Sequence, residues 1–123
     1  MDNNNSWIDY KIKVRERLRI MALNILLLSE KIPQSTSGKI INYQLTKSGT
    51  SIYVNYRAAL RGRSKAEFFS KLSISIEEAD ETEMWLEILI SSKILYDEFI
   101  KGLHAESLEI IKILASMRKK ISN

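Results

Sequence analysis

Cysteine is absent from this sequence, proline and histidine each occur once, and glycine occurs four times. The missing cysteine excludes disulfides and thiolate metal sites and suits a reducing compartment. The opening residues "MDNNNSW" show no basic stretch followed by an apolar one, so no secretory signal is expected and a cytoplasmic location is. Scarce proline and glycine leave too few turn positions for a sandwich of many short strands. Long apolar runs are missing as well. The longest, residues 20–28, is interrupted by Asn24 and falls short of the roughly 18 uncharged residues of a membrane span. Charge of one sign is missing over part of the chain. Residues 31–66 contain no Asp or Glu but carry Lys31, Lys39, Lys47, Arg57, Arg61, Arg63 and Lys65. Residues 67–87 then carry seven acids with only Lys71 among them. Such asymmetry predicts a patterned surface or interface.

What is present is helical periodicity in a chain of 123 residues, enough for one domain with a core. Val14, Leu18, Met21, Ile25, Leu28 and Ile32 recur in steps of four and three, the stripe of one helix face. Ser6 with Asp9 is a capping start, and Pro33 stops the helix because the residue before a proline avoids the α region. The Asn run at 3–5 is expected to fray. Ser64 with Glu67 opens a third helix two residues after Gly62 closes the second, which predicts a tight antiparallel hairpin. That third helix carries Phe68, Leu72, Ser75, Ala79, Thr82, Leu86 and Leu89 on its stripe. Asp97 is a candidate cap for a fourth, with Phe99, Leu103, Ile110, Leu114, Met117 and Ile121, ending in basic "RKKIS".

The segment "SGTSIYVNY" admits three readings: turn and strand, phosphate loop, or helix. Its β propensity is good, yet Ile41, Leu45, Ser48, Ile52, Asn55 and Ala59 hold one helical phase through it, which a strand would break. A phosphate loop needs a distal glycine followed by lysine, and neither is there. Helix is the better assignment, although Gly49 inside it costs about 1 kcal/mol relative to alanine. Small and polar residues there imply close helix packing, with Gln44, Ser48, Ser51 and Asn55 assigned to that contact. The expectation is an all-α, antiparallel up-down-up-down four-helix bundle: one domain over residues 1–123, with helices about 6–32, 37–61, 64–94 and 97–121.

Gln44, Leu45, the run Ser48, Gly49, Thr50, Ser51, Ile52, then Asn55, Tyr56, Ser64, Phe68, Lys71, Leu72, Glu78, Glu81, Thr82, Trp85 and Leu86 together form a motif. The chain in this respect resembles the bacterial four-helix bundle proteins encoded in 23S rRNA intervening sequences. That family includes the accessory proteins of diversity-generating retroelements. The motif covers about half the chain, and the helix order nearly all of it. The resemblance implies a bundle that assembles into a pentameric ring. It also implies, from the basic retroelement members, binding to a reverse transcriptase and nucleic acid. The sequence departs from the family at Ala58, often Glu, and at Glu77, often Lys.

Catalytic, cofactor and metal sites are not expected. His104 is the single histidine and reads as a solvated one. The carboxylates Glu77, Glu78, Glu81 and Glu83 lack the Glu-x-x-His pairs of bundle di-metal sites. Arg57 and Lys47 instead face two alternatives: pairing with Glu77, Glu78 or Glu81, within a chain or between subunits, or simple solvation. Exposed pairs contribute only about 0–1 kcal/mol each. Tyr56 and Trp85 lie just off their stripes, at the core edge or at a subunit interface with Glu78 and Glu81. The candidate nucleic-acid surface comprises Arg57, Arg61, Arg63 and Lys65 around the second turn, with Lys47, Arg15 and Arg19. Repeated about an axis, such a patch attracts phosphate in a salt-dependent way; the alternative is charge for solubility. The expected activity is that of a non-enzymatic oligomer binding RNA, DNA or a reverse transcriptase. The alternative is a structural or protein-interaction module. No membrane, cofactor or small-molecule substrate is expected in either case.

Overall fold

The computed structural model describes residues 3–122; Met1, Asp2 and Asn123 lie outside the described residues. Four helices follow in order: α1 (Asn3–Ser29), α2 (Thr36–Leu60), α3 (Lys65–Ser91) and α4 (Glu98–Ser122). Most ends are written in local chemistry. Ser35 caps α2 by accepting the Gly38 N–H at 3.1 Å. Ser64 caps α3 by accepting the Glu67 N–H at 3.1 Å, and the Glu67 carboxylate accepts the Arg63 N–H at 2.7 Å. Asp97 caps α4 by accepting the Ile100 N–H at 2.9 Å.

Three boundaries differ from expectation. The chain is already helical at Asn3, so the Asn run is part of α1 and Ser6 lies inside it rather than capping it. Helix α1 stops at Ser29, where the Lys31 N–H turns back to the Leu28 carbonyl, several residues before Pro33. Helix α3 stops at Ser91 because Lys93 adopts a left-handed φ of 61°.

Hydrogen bonds between helices show the antiparallel order directly. Asn42 at the start of α2 donates to the Ser29 carbonyl at the end of α1. Tyr56, near the end of α2, donates to the Lys11 carbonyl near the start of α1. The arrangement is up-down-up-down, with the core drawn from one stripe of each helix: Leu18 and Ile25, Leu45 and Ile52, Leu72 and Leu86, Ile110 and Leu114. Helices α2 and α3 pack most intimately, and α1 and α4 touch least. Across that looser seam, Arg17 grips Glu106 with two bonds at 2.6 and 2.7 Å, and Lys31 pairs with Asp97. The Glu106 bond, opposed by partial burial, raises the Arg17 pKa.

Small residues account for the closeness of α2 and α3. Ser75 reaches the Ile52 carbonyl of the opposite helix at 2.8 Å, and Thr82 donates to Ser48 at 3.0 Å. Both contacts are buried, and each hydroxyl finds a partner, as burial requires. Gly49 does the same towards α1: a Cβ there would lie 2.8 Å from Ile25 Cγ1.

The stripe of α2 corrects the expected packing set. Ser48 is buried, but Gln44, Ser51 and Asn55 are half-buried on one flank. Among the described residues, Ser51 and Asn55 bond only within their own helix, to the Lys47 and Ser51 carbonyls. The stripe steps from Ile52 to Tyr56, not to Asn55: both spacings stay near one face of a helix, and packing against α1, where Tyr56 meets Lys11, selects the former. Tyr56 is therefore 0% exposed and is a core residue that offers no surface to a partner. Burial raises its phenol pKa.

Candidate nucleic-acid interface

The antiparallel order brings the start of α1, the turn between α2 and α3, and the end of α4 to one end of the bundle. Segments 3–15, 57–72 and 115–122 together hold eleven Lys and Arg against two acids, Asp9 and Glu67. One of the two, Glu67, is engaged in capping. The remainder, segments 16–56 and 73–114, holds eight Lys and Arg against twelve Asp and Glu. The bundle is thus basic at one end and acidic over the rest.

Arg57, Arg61, Arg63 and Lys65 are all exposed at the basic end. Arg57 lies with its guanidinium 5.6 Å from the Tyr53 ring centroid, which leaves its donors free to face solvent. Arg61 is the C-cap of α2, and Lys65 is the first residue of α3. Arg15 is exposed one turn beyond Lys11, near enough to Tyr56 to favour its phenolate.

Two candidates fall elsewhere. Arg19 is farther along α1 and pairs with Glu16 at 2.9 Å. Lys47 is ten residues from Arg57, about 15 Å up α2. It acts instead on Glu78, whose pKa is raised by burial and by Glu81 and pulled back by Lys47. Among the described residues no ion pair joins α2 to α3 directly.

Sequence reasoning missed the aromatic part of this end. Trp7 stacks on Tyr10 with ring centroids 5.9 Å apart. The Lys120 ammonium sits 4.4 Å from the Trp7 centroid, and that of Lys11 sits between Trp7 and Phe68 at 5.4 and 5.7 Å. The signal was available: in an up-down-up-down bundle the last turn of α4 must neighbour the first turns of α1.

On the flank of α3 beside α2, Trp85 is half-buried and donates to Glu81 at 3.2 Å. Glu78, Glu81 and Trp85 therefore share one half-buried flank with Gln44, Ser51 and Asn55 opposite. His104 corrects the expectation of a solvated side chain. It is half-buried, and its Nε2 lies 2.7 Å from Glu83 Oε2, joining α4 to α3. Among the described residues no group of three or more His, Cys, Asp or Glu side chains is placed to hold a metal ion. No helix among them is long and apolar enough to cross a membrane.

A second surface stands opposite the core stripe of α1. Ile8, Ile12, Ile20, Leu23, Leu26 and Leu27 are each between 44 and 61% exposed. They fall within about 120° of one another around the helix, so α1 is apolar on two faces.

Comparison with known proteins agrees with this architecture. The model of the family described as 23S rRNA-intervening sequence protein matches residues 10–116. A crystal structure from Bacteroides thetaiotaomicron, described as a protein with unknown function from the S23 ribosomal protein family, superposes with a TM-score of 0.81. It is 34% identical, and the match covers 89% of this chain and 97% of that one. No curated protein matches.

Proposed function

This chain belongs to the 23S rRNA-intervening sequence protein family, and from that premise we propose that it is a non-enzymatic accessory protein that assembles with copies of itself and binds nucleic acid. The contact is made by the basic end, to RNA or DNA alone or within a ribonucleoprotein, a reverse transcriptase among them as the family resemblance implies. The protein works in the cytoplasm and takes no cofactor or small-molecule substrate.

The observation that carries the reading is the separation of charge: eleven cations against two acids at one end, with the acids gathered elsewhere. A phosphate backbone releases condensed counterions to such a surface, and affinity then falls steeply with salt. Assembly strengthens the field, because copies with their basic ends together present one large positive face. The outward apolar residues of α1 support assembly, since exposed apolar side chains gathered on one helix face, here with the Glu16–Arg19 pair among them, mark a contact. The flank holding Glu78, Glu81 and Trp85 offers the opposite side of a head-to-tail contact, the type that closes a ring. A ring of five is what the family resemblance implies.

The same apolar stripe favours a second reading, a structural or interaction module in which the charge serves only assembly and solubility. Fluorescence anisotropy with labelled structured RNA and matched duplex DNA, over a salt series, separates the two. Sub-micromolar binding that weakens steeply with salt, and drops when Arg57, Arg61 and Arg63 are changed to Ala, is the expected result. Salt-insensitive or millimolar binding by an intact oligomer leaves the interaction module.

A further inference from the structure

An indole at the end of a bundle most crowded with cations calls for an account. Trp7 leans on the core, yet its residue is only half-buried. Together with Ile121 it forms the wall between two clefts. One, of about 330 Å³, is lined by Trp7, Lys11, Leu60, Lys65 and Phe68 among others. The second, a more open groove of about 750 Å³, takes in Tyr10, Met117 and Lys120 on the other side of the same indole.

The chemistry on both sides is the same: aromatic or apolar floors with an ammonium group at the rim. Lys11 and Lys120 rest over aromatic faces, and among the described residues neither pairs with a carboxylate. Such cation–π contacts, exposed at Lys120 and half-buried at Lys11, are weak, on the order of 0.5–1 kcal/mol where solvent reaches them, so either ammonium can swing to a phosphate at little cost. Aromatic faces with mobile cations beside them are the two elements that hold a single strand: rings for bases, charge for backbone. A duplex keeps its bases stacked inside and has none to offer.

We propose that the paired clefts on either side of Trp7 receive unpaired bases of a single-stranded nucleic acid, which stack on Trp7, Tyr10 and Phe68 while Lys11, Lys65 and Lys120 take the adjoining phosphates. This rests on the nucleic-acid reading above and adds a preference to it. The basic end would distinguish strands with accessible bases from equal charge without them.

The test compares three labelled probes with the intact protein by anisotropy. They are a short single strand, made both as RNA and as DNA, an abasic strand of the same length and charge, and a duplex of the same sequence. The expected result is binding to the base-bearing strand roughly tenfold tighter than to the abasic one, from stacking. Whichever of RNA or DNA shows the preference identifies the natural strand. Trp7→Ala should remove the preference but keep abasic binding, and Trp7→Phe should keep most of it. In a Trp85→Phe background, Trp7 emission should be quenched by the base-bearing strand and not by the abasic one.

Equal binding of base-bearing and abasic strands by the wild type overturns the proposal and leaves the nucleic-acid reading intact. A preference that survives Trp7→Ala overturns it in the same way. Absence of binding to any probe overturns both. The wild-type comparison decides even where Trp7→Ala does not fold.

Discussion

Gly38 has no room for a side chain. A Cβ there would lie 1.9 Å from the Pro33 carbonyl oxygen, and that oxygen belongs to backbone that cannot turn aside. Gly38→Ala should therefore destabilise the protein by about 1–3 kcal/mol, despite alanine's better helix propensity, because the entry to α2 must deform. A lower urea midpoint with an unchanged slope checks it. Tyr56 makes a finer point about what a buried polar atom contributes. Its ring fills the core while its hydroxyl satisfies the Lys11 carbonyl at 2.8 Å. Tyr56→Phe keeps the ring and loses the bond, at an expected cost of about 1 kcal/mol, read by the same unfolding experiment. A loss several times larger would mean that the hydroxyl holds more than the one bond.

Among the helices, α4 depends on a cap that also ties it to the turn after α1. Asp97 accepts the Ile100 N–H and pairs with Lys31, and the Lys31 bond first, then the Ile100 bond, hold its pKa below the ordinary value. A carboxyl depressed in the folded state contributes stability that is fully present above the unfolded value near 3.9. That contribution is lost as pH falls through the folded value. Asp97→Asn should therefore flatten the acid limb of a plot of stability against pH below about 4, and leave its shape near neutrality unchanged. Chemical denaturation between pH 3 and pH 7 gives that comparison. An unchanged acid limb would show that the cap carries no pH-dependent stability. Helix α3 shows the converse, since its end is set by backbone conformation at Lys93 and not by a capping side chain at that residue.

At the level of the whole molecule, three surfaces make separable predictions. The outward stripe of α1 predicts that Leu23→Glu lowers the assembled mass in light scattering while leaving helix content intact, because Leu23 is 46% exposed in the single chain. A mass that stays the same would remove that face from the contact. Glu78→Lys tests the other flank by the same readout. The basic end predicts a slope: if Arg57, Arg61 and Arg63 each neutralise one phosphate, changing all three to Ala should reduce the logarithmic salt dependence by about 2 to 3. An unchanged slope would place the phosphate contact elsewhere.

Periodicity and caps made most of the fold legible in advance. Val14 to Ile32, Phe68 to Leu89 and Phe99 to Ile121 each keep a helical step that only an amphipathic helix uses. Ser64 and Asp97 act within three residues of themselves, so a local reading reaches them. The charge asymmetry was equally visible, because net charge along a chain needs no coordinates. What lies across the bundle was not. Choosing Tyr56 over Asn55 for the core turns on a phase difference of one residue, which only a packed neighbour such as Lys11 resolves. The same holds for the meeting of His104 with Glu83, and for that of Lys120 with Trp7, whose turns topology made neighbours without fixing which side chains touch. These residues lie in different helices, and their distance apart depends on rotation and height about the bundle axis. Sequence specifies which face of each helix seeks the core, since burial follows composition. Tertiary packing alone decides which residues at the edges of those faces come to touch.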